Sequence, residues 1–153
     1  MTTIAWDGET LAADRGSWSG GFHQAAKKVH RVASPDGRVF LVGLLGNAAF
    51  ASDVLRWMQG GPHPGPCLEA DRESDCAVVI DERRRVWRLA AHRLTYREYP
   101  GRLHSAGAGQ EIALGAMMVG ANAVKAVRIT MQVSDYAARG VDCVRFRASQ
   151  EGR

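Results

Sequence analysis

Apolar residues in this chain change their spacing near residue 47, and few architectures accommodate both halves of that change. Upstream, Lys28-Val29-His30-Arg31-Val32 alternates polar and apolar like a half-buried strand. Ser34-Pro35-Asp36-Gly37 marks a turn, and the unbroken run Val39-Phe40-Leu41-Val42-Gly43 suits a strand covered on both faces. From Asn47, a good N-cap, Ala48, Phe50, Ala51, Val54, Leu55 and Met58 recur at intervals of three and four. That spacing predicts a helix running to Gln59 and ended by Gly60-Gly61-Pro62.

The remaining segments extend the alternation. Residues 2 to 6 and 9 to 14 read as a hairpin around Asp7-Gly8, and Gly16-Ser17-Trp18-Ser19-Gly20-Gly21 reads as a loop. A proline- and glycine-rich loop over 60 to 75 precedes a hairpin over 76 to 90 and a short strand near 95 to 98. Past a turn at Pro100-Gly101, the small residues Ala106-Gly107-Ala108-Gly109 open an apolar helix over 110 to 119. A second helix follows over 123 to 133 with Val124, Val127 and Met131 as its stripe, then a strand over 141 to 147. Strands, helix, strands, two helices and strand predict an α+β fold in one domain over 1 to 153. The expected architecture is a four-layer αββα sandwich, two stacked antiparallel sheets flanked by helices.

Several functional classes are disfavoured by composition. With 153 residues, 46% hydrophobic and 24% charged, the chain is expected to be an ordinary globular domain. No apolar stretch approaches the roughly 18 residues a membrane helix needs. The N-terminus lacks the basic and apolar regions of a signal peptide, so a cytoplasmic location is expected. Cys67, Cys76 and Cys143 form neither a disulfide framework nor a zinc pattern, and free thiols are expected. The histidines His23, His30, His63, His92 and His104 show no metal-type pairing. The net charge of +4 is scattered, and its densest run, Arg83-Arg84-Arg85, reads as an exposed hairpin turn. Neither nucleic acid nor a membrane is expected as a partner.

The candidate reactive group is at the start of the chain. Thr2 and Thr3 lead directly into Ile4-Ala5-Trp6, and Met1 precedes a small residue, the usual context for methionine removal. A threonine exposed as the first residue carries its own base. Its hydroxyl attacks, and its α-amine, with an ordinary pKa of about 7.7 to 8.0, accepts the hydroxyl proton.

In four patches spread over most of its length, the chain resembles the proteasome β-subunits and HslV-type peptidases of the N-terminal nucleophile hydrolase superfamily, as a bacterial or phage homologue. The patches are Thr2-Thr3-Ile4 with Leu11-Ala12-Ala13-Asp14; Ala26-Lys27-Lys28-Val29-His30-Arg31; Leu41-Val42-Gly43-Leu44-Leu45-Gly46-Asn47; and Gly107-Ala108-Gly109-Gln110-Glu111-Ile112-Ala113-Leu114. The resemblance implies Thr2 as nucleophile, Lys28 as the buried lysine that lowers its pKa, Asp14 as the carboxylate orienting Lys28, and Gly43 as the oxyanion-binding backbone donor. It implies a threonine endopeptidase acting through an acyl-enzyme without a cofactor. It also implies a homo-oligomeric ring that degrades peptides or unfolded proteins and is often fed by an ATP-driven unfoldase.

The chain departs from the family pattern at several positions. Ala108 replaces the serine that normally contacts the α-amine, and Ser105 is three residues away. In Ser134-Asp135-Tyr136-Ala137-Ala138-Arg139-Gly140, Ser134 or Asp135 is placed for the family's aspartate position. Ala137 lacks a hydroxyl, and Arg139 stands where a glycine is usual. Two alternatives therefore stay open, a non-catalytic structural ring subunit and a small-amide hydrolase using Thr2.

Overall fold

A computed structural model describes residues 2–65, 76–90, 95–135 and 137–147. Along the chain run β1 (Thr3–Trp6), β2 (Leu11–Asp14), β3 (Gly16–Ser19), β4 (Phe22–Ala25), β5 (Val29–Ala33), β6 (Val39–Leu44) and α1 (Ala48–Met58). They are followed by β7 (Cys76–Ile80), β8 (Val86–Ala90), β9 (Thr95–Tyr99), β10 (His104–Gly107), α2 (Gln110–Met118), α3 (Ala123–Val133) and β11 (Val141–Val144). The fold is mixed, with three antiparallel sheets and three helices among the described residues. One sheet has the order β10-β1-β2-β11, a second β5-β6-β7-β8-β9, and β3 pairs with β4 alone.

The two larger sheets are organised by the period-two alternation of side chains. Every residue of β1 and β2 is buried, because both faces of these strands are covered. On one face Ile4, Trp6, Leu11 and Ala13 pack with Val29, Leu41, Val78, Ile80 and Val86 of the five-stranded sheet. On the other, Ala5 and Ala12 pack with Ala113, Met117, Ala123, Ala126 and Val127 of α2 and α3. Large side chains thus lie between the sheets, and alanines lie where helices approach the strand backbone. The opposite face of the five-stranded sheet, through Val32, Val42, Leu44, Val79 and Leu89, packs on Phe50 and Val54 of α1.

Local chemistry fixes the joints. Asp7 Oδ1 accepts from the N–H groups of Glu9 and Thr10 in the β1–β2 turn, with Gly8 at φ +98°. Its Oδ2 accepts from Ala123 N–H and so ties the start of α3 to that turn. Asn47 caps α1 by accepting from Ala49 and Phe50. Asp81 collects the Arg83 and Arg85 amides, the Arg85 guanidinium and Trp87 Nε1, which makes the arginine run the exposed β7–β8 turn.

Two expectations are corrected. Residues 16 to 21 are not a plain loop: Gly16–Ser19 forms β3, paired in register with β4 from Gly16↔Ala25 to Ser19↔Phe22. The small residues 106 to 109 do lead into α2 at Gln110, but Ala106 and Gly107 are strand: His104–Gly107 forms β10, paired with β1 from Thr3↔Gly107 to Trp6↔His104. Cys143 is exposed and free, whereas Cys67, His92, Tyr136 and residues 66 to 75 of the expected loop lie outside the described residues. No described helix is long and apolar enough to cross a membrane.

Candidate active site

At the end of β2 the chain places a carboxylate where no water reaches it. Asp14 is 0% exposed. An isolated carboxylate would be expensive there, so its oxygens must be satisfied by donors. Oδ1 accepts from Thr3 N–H at 2.8 Å and Lys28 Nζ at 3.1 Å. Oδ2 accepts from Gly16 N–H at 2.9 Å, Ala138 N–H at 3.2 Å and Lys28 Nζ at 3.0 Å. Asp14 thereby joins β1, β3, the segment before β5 and the segment before β11 at one point.

Lys28 precedes β5 and is 7% exposed. Burial pulls its pKa below the ordinary lysine value, while the charge of Asp14 and the hydrogen bond to it act in the opposite direction. The result is an ammonium that is easier to deprotonate than a surface lysine and is held bidentate on a carboxylate.

A cavity of about 340 Å³ brings Thr2 and Lys28 to one space. Gly16, Ser17 and Trp18 of β3, Lys27, Leu44, Leu45, Gly46 and the first turn of α1 also line it, together with Gly107 and Ala108. The glycine-rich turn after β10 is shaped around the chain start. A Cβ on Gly107 would strike the Thr2 carbonyl, and one on Gly109 would strike the Thr3 hydroxyl. Thr2 is thus placed by β1, which begins at the next residue, by Thr3 N–H on Asp14, and by the close approach of Gly107 to its carbonyl.

Of the four residues singled out in the sequence, Thr2 and Lys28 line the cavity, and Asp14 lies beneath it as the partner of Lys28. Gly43 is placed elsewhere. It sits inside β6, between Val29 and Val78, and a Cβ there would meet Ile4 Cδ1 at 2.9 Å. Leu44 N–H bonds Lys28 C=O, so the alternation of an antiparallel ladder turns Gly43 N–H away from β5 towards β7.

Gly46 is the glycine that lines the cavity, with φ +78° just before the N-cap Asn47. In the sequence Gly46 reads only as a strand-to-helix turn residue within the third patch; the signal for more is a glycine directly before an N-cap and a helix opening with two alanines, Ala48-Ala49. Ala108 faces the cavity, whereas Ser105 is occupied elsewhere, its Oγ donating to Gln110 C=O at 2.7 Å. Ala137 is buried. Among the described residues no His, Cys, Asp and Glu side chains cluster as metal ligands.

No family model and no curated protein matches the sequence. Solved structures do resemble it. A Gly-1 mutant of Anbu from Hyphomicrobium sp. strain MC1 superposes with a TM-score of 0.66 at 13% identity, covering 95% of this chain and 81% of the other. HslV from Trypanosoma brucei gives 0.62 at 15% identity over 94% of this chain and 98% of the other. Anbu from Pseudomonas aeruginosa, solved as a helical assembly, gives 0.66 at 10% identity over 96% and 81%. At these identities the likeness shows the fold, and that fold is proteasome-like.

Proposed function

We propose that this protein is a threonine-type peptidase of the N-terminal nucleophile class, with a four-layer αββα sandwich as its scaffold. The observation that carries the reading is the buried Lys28–Asp14 pair opening onto the cavity that holds Thr2. A buried ion pair is a weak device for stability, because desolvation offsets most of its attraction. One placed against a potential nucleophile has a catalytic use.

After removal of Met1, Thr2 Oγ attacks the peptide carbonyl while the Thr2 α-amine takes the hydroxyl proton. Lys28 favours the developing alkoxide electrostatically, and Asp14 holds Lys28 in place. The oxyanion needs a backbone donor at the mouth of the cavity. Gly46, rather than Gly43, is the residue we assign to it, since Gly46 lines the cavity and its missing side chain leaves room for substrate. The tetrahedral intermediate collapses to an ester on Thr2, the amine product takes a proton from the α-ammonium, and water then hydrolyses the ester. No step calls for a cofactor.

The HslV and Anbu likenesses support self-assembly of this chain into a ring or, if the rotation between copies does not close, a helix. An ATP-driven unfoldase is the corresponding partner and an unfolded polypeptide the corresponding substrate. Ala108 at the cavity favours a second reading, a subunit of the same assembly with little or no turnover, because it offers no hydroxyl to the α-amine.

Intact mass and a peptide epoxyketone, which reacts with hydroxyl and amine of one residue together, test the assignment. The expected result is loss of the methionine mass and a single adduct on Thr2, absent in Thr2→Ala. A processed protein that takes up no adduct and cleaves no peptide would leave the second reading.

A further inference from the structure

Two described non-glycine residues adopt the left-handed backbone region, Arg84 and Arg139, each at φ 64°. An L-residue held there is under strain that glycine would escape, and such strain persists only where the surroundings impose it. Arg84 belongs to the tight β7–β8 turn anchored on Asp81. Arg139 lies between α3 and β11, at no hairpin turn, and its side chain makes a specific contact.

Its Nη2 donates to His23 C=O in β4 at 3.0 Å. The backbone on either side of it is pinned as well. Arg15 N–H is shared between Ala138 C=O at 3.0 Å and Gly140 C=O at 3.1 Å, and Ala138 N–H reaches Asp14. Arg139 thus projects from a segment fixed to the floor of the site and grips the far strand of the β3–β4 hairpin.

That hairpin is held at its base by Gly16 N–H on Asp14 and by Ala26 N–H on Arg15 C=O at 2.7 Å. Beyond its base it is a two-stranded sheet joined to neither large sheet, and all four residues of β4 are exposed. An isolated hairpin of this kind is at best marginally stable in water. Yet it forms part of the cavity wall. His23 pairs in register with Trp18, their rings stack with centroids 4.2 Å apart at 9°, and Trp18 lines the cavity that Thr2 and Lys28 enter.

We infer that Arg139 is a positioning residue whose guanidinium clamps the β3–β4 hairpin and so sets Trp18 as the substrate-facing wall of the Thr2 cavity. The clamp stands on geometry alone. Its consequence for substrate rests on the peptidase reading.

The test uses the full chain carrying Arg139→Gly, which removes the guanidinium and relieves the backbone strain, so the fold is retained. Hydrogen exchange read by mass spectrometry should accelerate by about three- to tenfold in residues 16–25, the effect of losing one such hydrogen bond, with β1, β2 and β6 unchanged. Arg139→Lys should recover part of the protection. In peptide hydrolysis, Arg139→Gly should raise KM by a similar factor, leaving kcat and the rate of Thr2 acylation by a small β-lactone unaltered. Trp18→Ala should raise KM alike, and the double variant no further.

Unchanged exchange in Arg139→Gly would overturn the clamp. Faster exchange with unchanged KM, or additive effects of the two substitutions, would overturn the role of Trp18 as the wall it sets. Faster exchange in Arg139→Gly together with a wild type that takes no acyl group on Thr2 would defeat the peptidase reading and leave the clamp supported.

Discussion

Substituting the two members of the buried pair separately should cost unequal amounts, and the structure sets the order. Lys28→Met keeps the aliphatic packing and removes the ammonium, but the carboxylate retains the N–H groups of Thr3, Gly16 and Ala138. Breaking a buried pair typically costs about 3 to 5 kcal/mol, and three remaining donors put this variant at about 3 kcal/mol. Asp14→Asn breaks the same pair and also turns one acceptor into a donor. With its oxygen kept at the Oδ2 position it still serves Gly16 and Ala138, but its NH2 then faces Thr3 N–H on a fully buried residue. An orphaned buried N–H adds about 1 to 3 kcal/mol, so Asp14→Asn should cost about 4 to 6 kcal/mol. Urea unfolding followed by circular dichroism reads both values, and the double variant should fall short of their sum because the two side chains share one interaction. Equal costs, the reverse order, or strict additivity would refute the account of Asp14 as a four-way anchor rather than a simple counter-ion.

Other outcomes follow from single contacts. Burial, with the charge of Arg88 adding to it, lowers the His104 pKa from 6.5 to about 4. The unfolded chain therefore takes up a proton near pH 6.5 that the native state refuses until about pH 4, so stability is full above that window and declines as pH falls through it. The loss is at most about 3 kcal/mol, and it should vanish in His104→Leu when unfolding is measured across the same range. Gly109→Ala drives a Cβ into the Thr3 hydroxyl and to 2.6 Å from Thr130 Cγ2. It should lower stability by at least the roughly 1 to 3 kcal/mol of an overpacked core, seen as a fall in the thermal midpoint, and should slow any epoxyketone adduct at Thr2. Gly43→Ala should cost about 1 to 3 kcal/mol through Ile4 and leave kcat per folded molecule unchanged; loss of kcat without loss of stability would return the oxyanion role to Gly43.

What the sequence discloses of the fold tracks how far each element is patterned by burial. Strand β6 and helix α1 are legible because one is a continuous apolar run and the other a three-and-four repeat with its own cap. The β3–β4 hairpin is not legible, since Gly16-Ser17-Trp18-Ser19-Gly20-Gly21 has the composition of a turn and β4 has no buried face to impose alternation. Strand β10 escapes for a different reason. His104-Ser105-Ala106-Gly107 has small and polar residues with weak strand preference, and its extended form is set by pairing with β1. The site divides similarly. A carboxylate ending β2 and a lysine just before β5 are locally ordinary, so Asp14 and Lys28 are singled out only through the resemblance of their patches, whereas choosing between Gly43 and Gly46 requires knowing which of the two leaves the ladder.

Asp14 grips Thr3 through a main-chain N–H, so the fold fixes the chain start one residue after the candidate nucleophile, independently of the side chain at position 2. This separates structure from chemistry along the chain: Thr2→Ala should leave the Asp14 network and the turn at residues 107–109 intact while removing the hydroxyl. It also explains how Ala108 is tolerated. The position of Thr2 depends on β1 pairing with both β2 and β10 and on the Gly107 approach to its carbonyl, none of which needs a serine at residue 108. On the proposed reading, in which Thr2 carries the α-amine, a missing hydroxyl at residue 108 would change the surroundings of that amine, hence its proton affinity, and not the place where Thr2 sits. Ala108→Ser should therefore shift the pH dependence of Thr2 acylation and leave the unfolding free energy within about 0.5 kcal/mol of the parent, as for a surface substitution. A changed stability with an unshifted pH profile would show that residue 108 acts through packing instead.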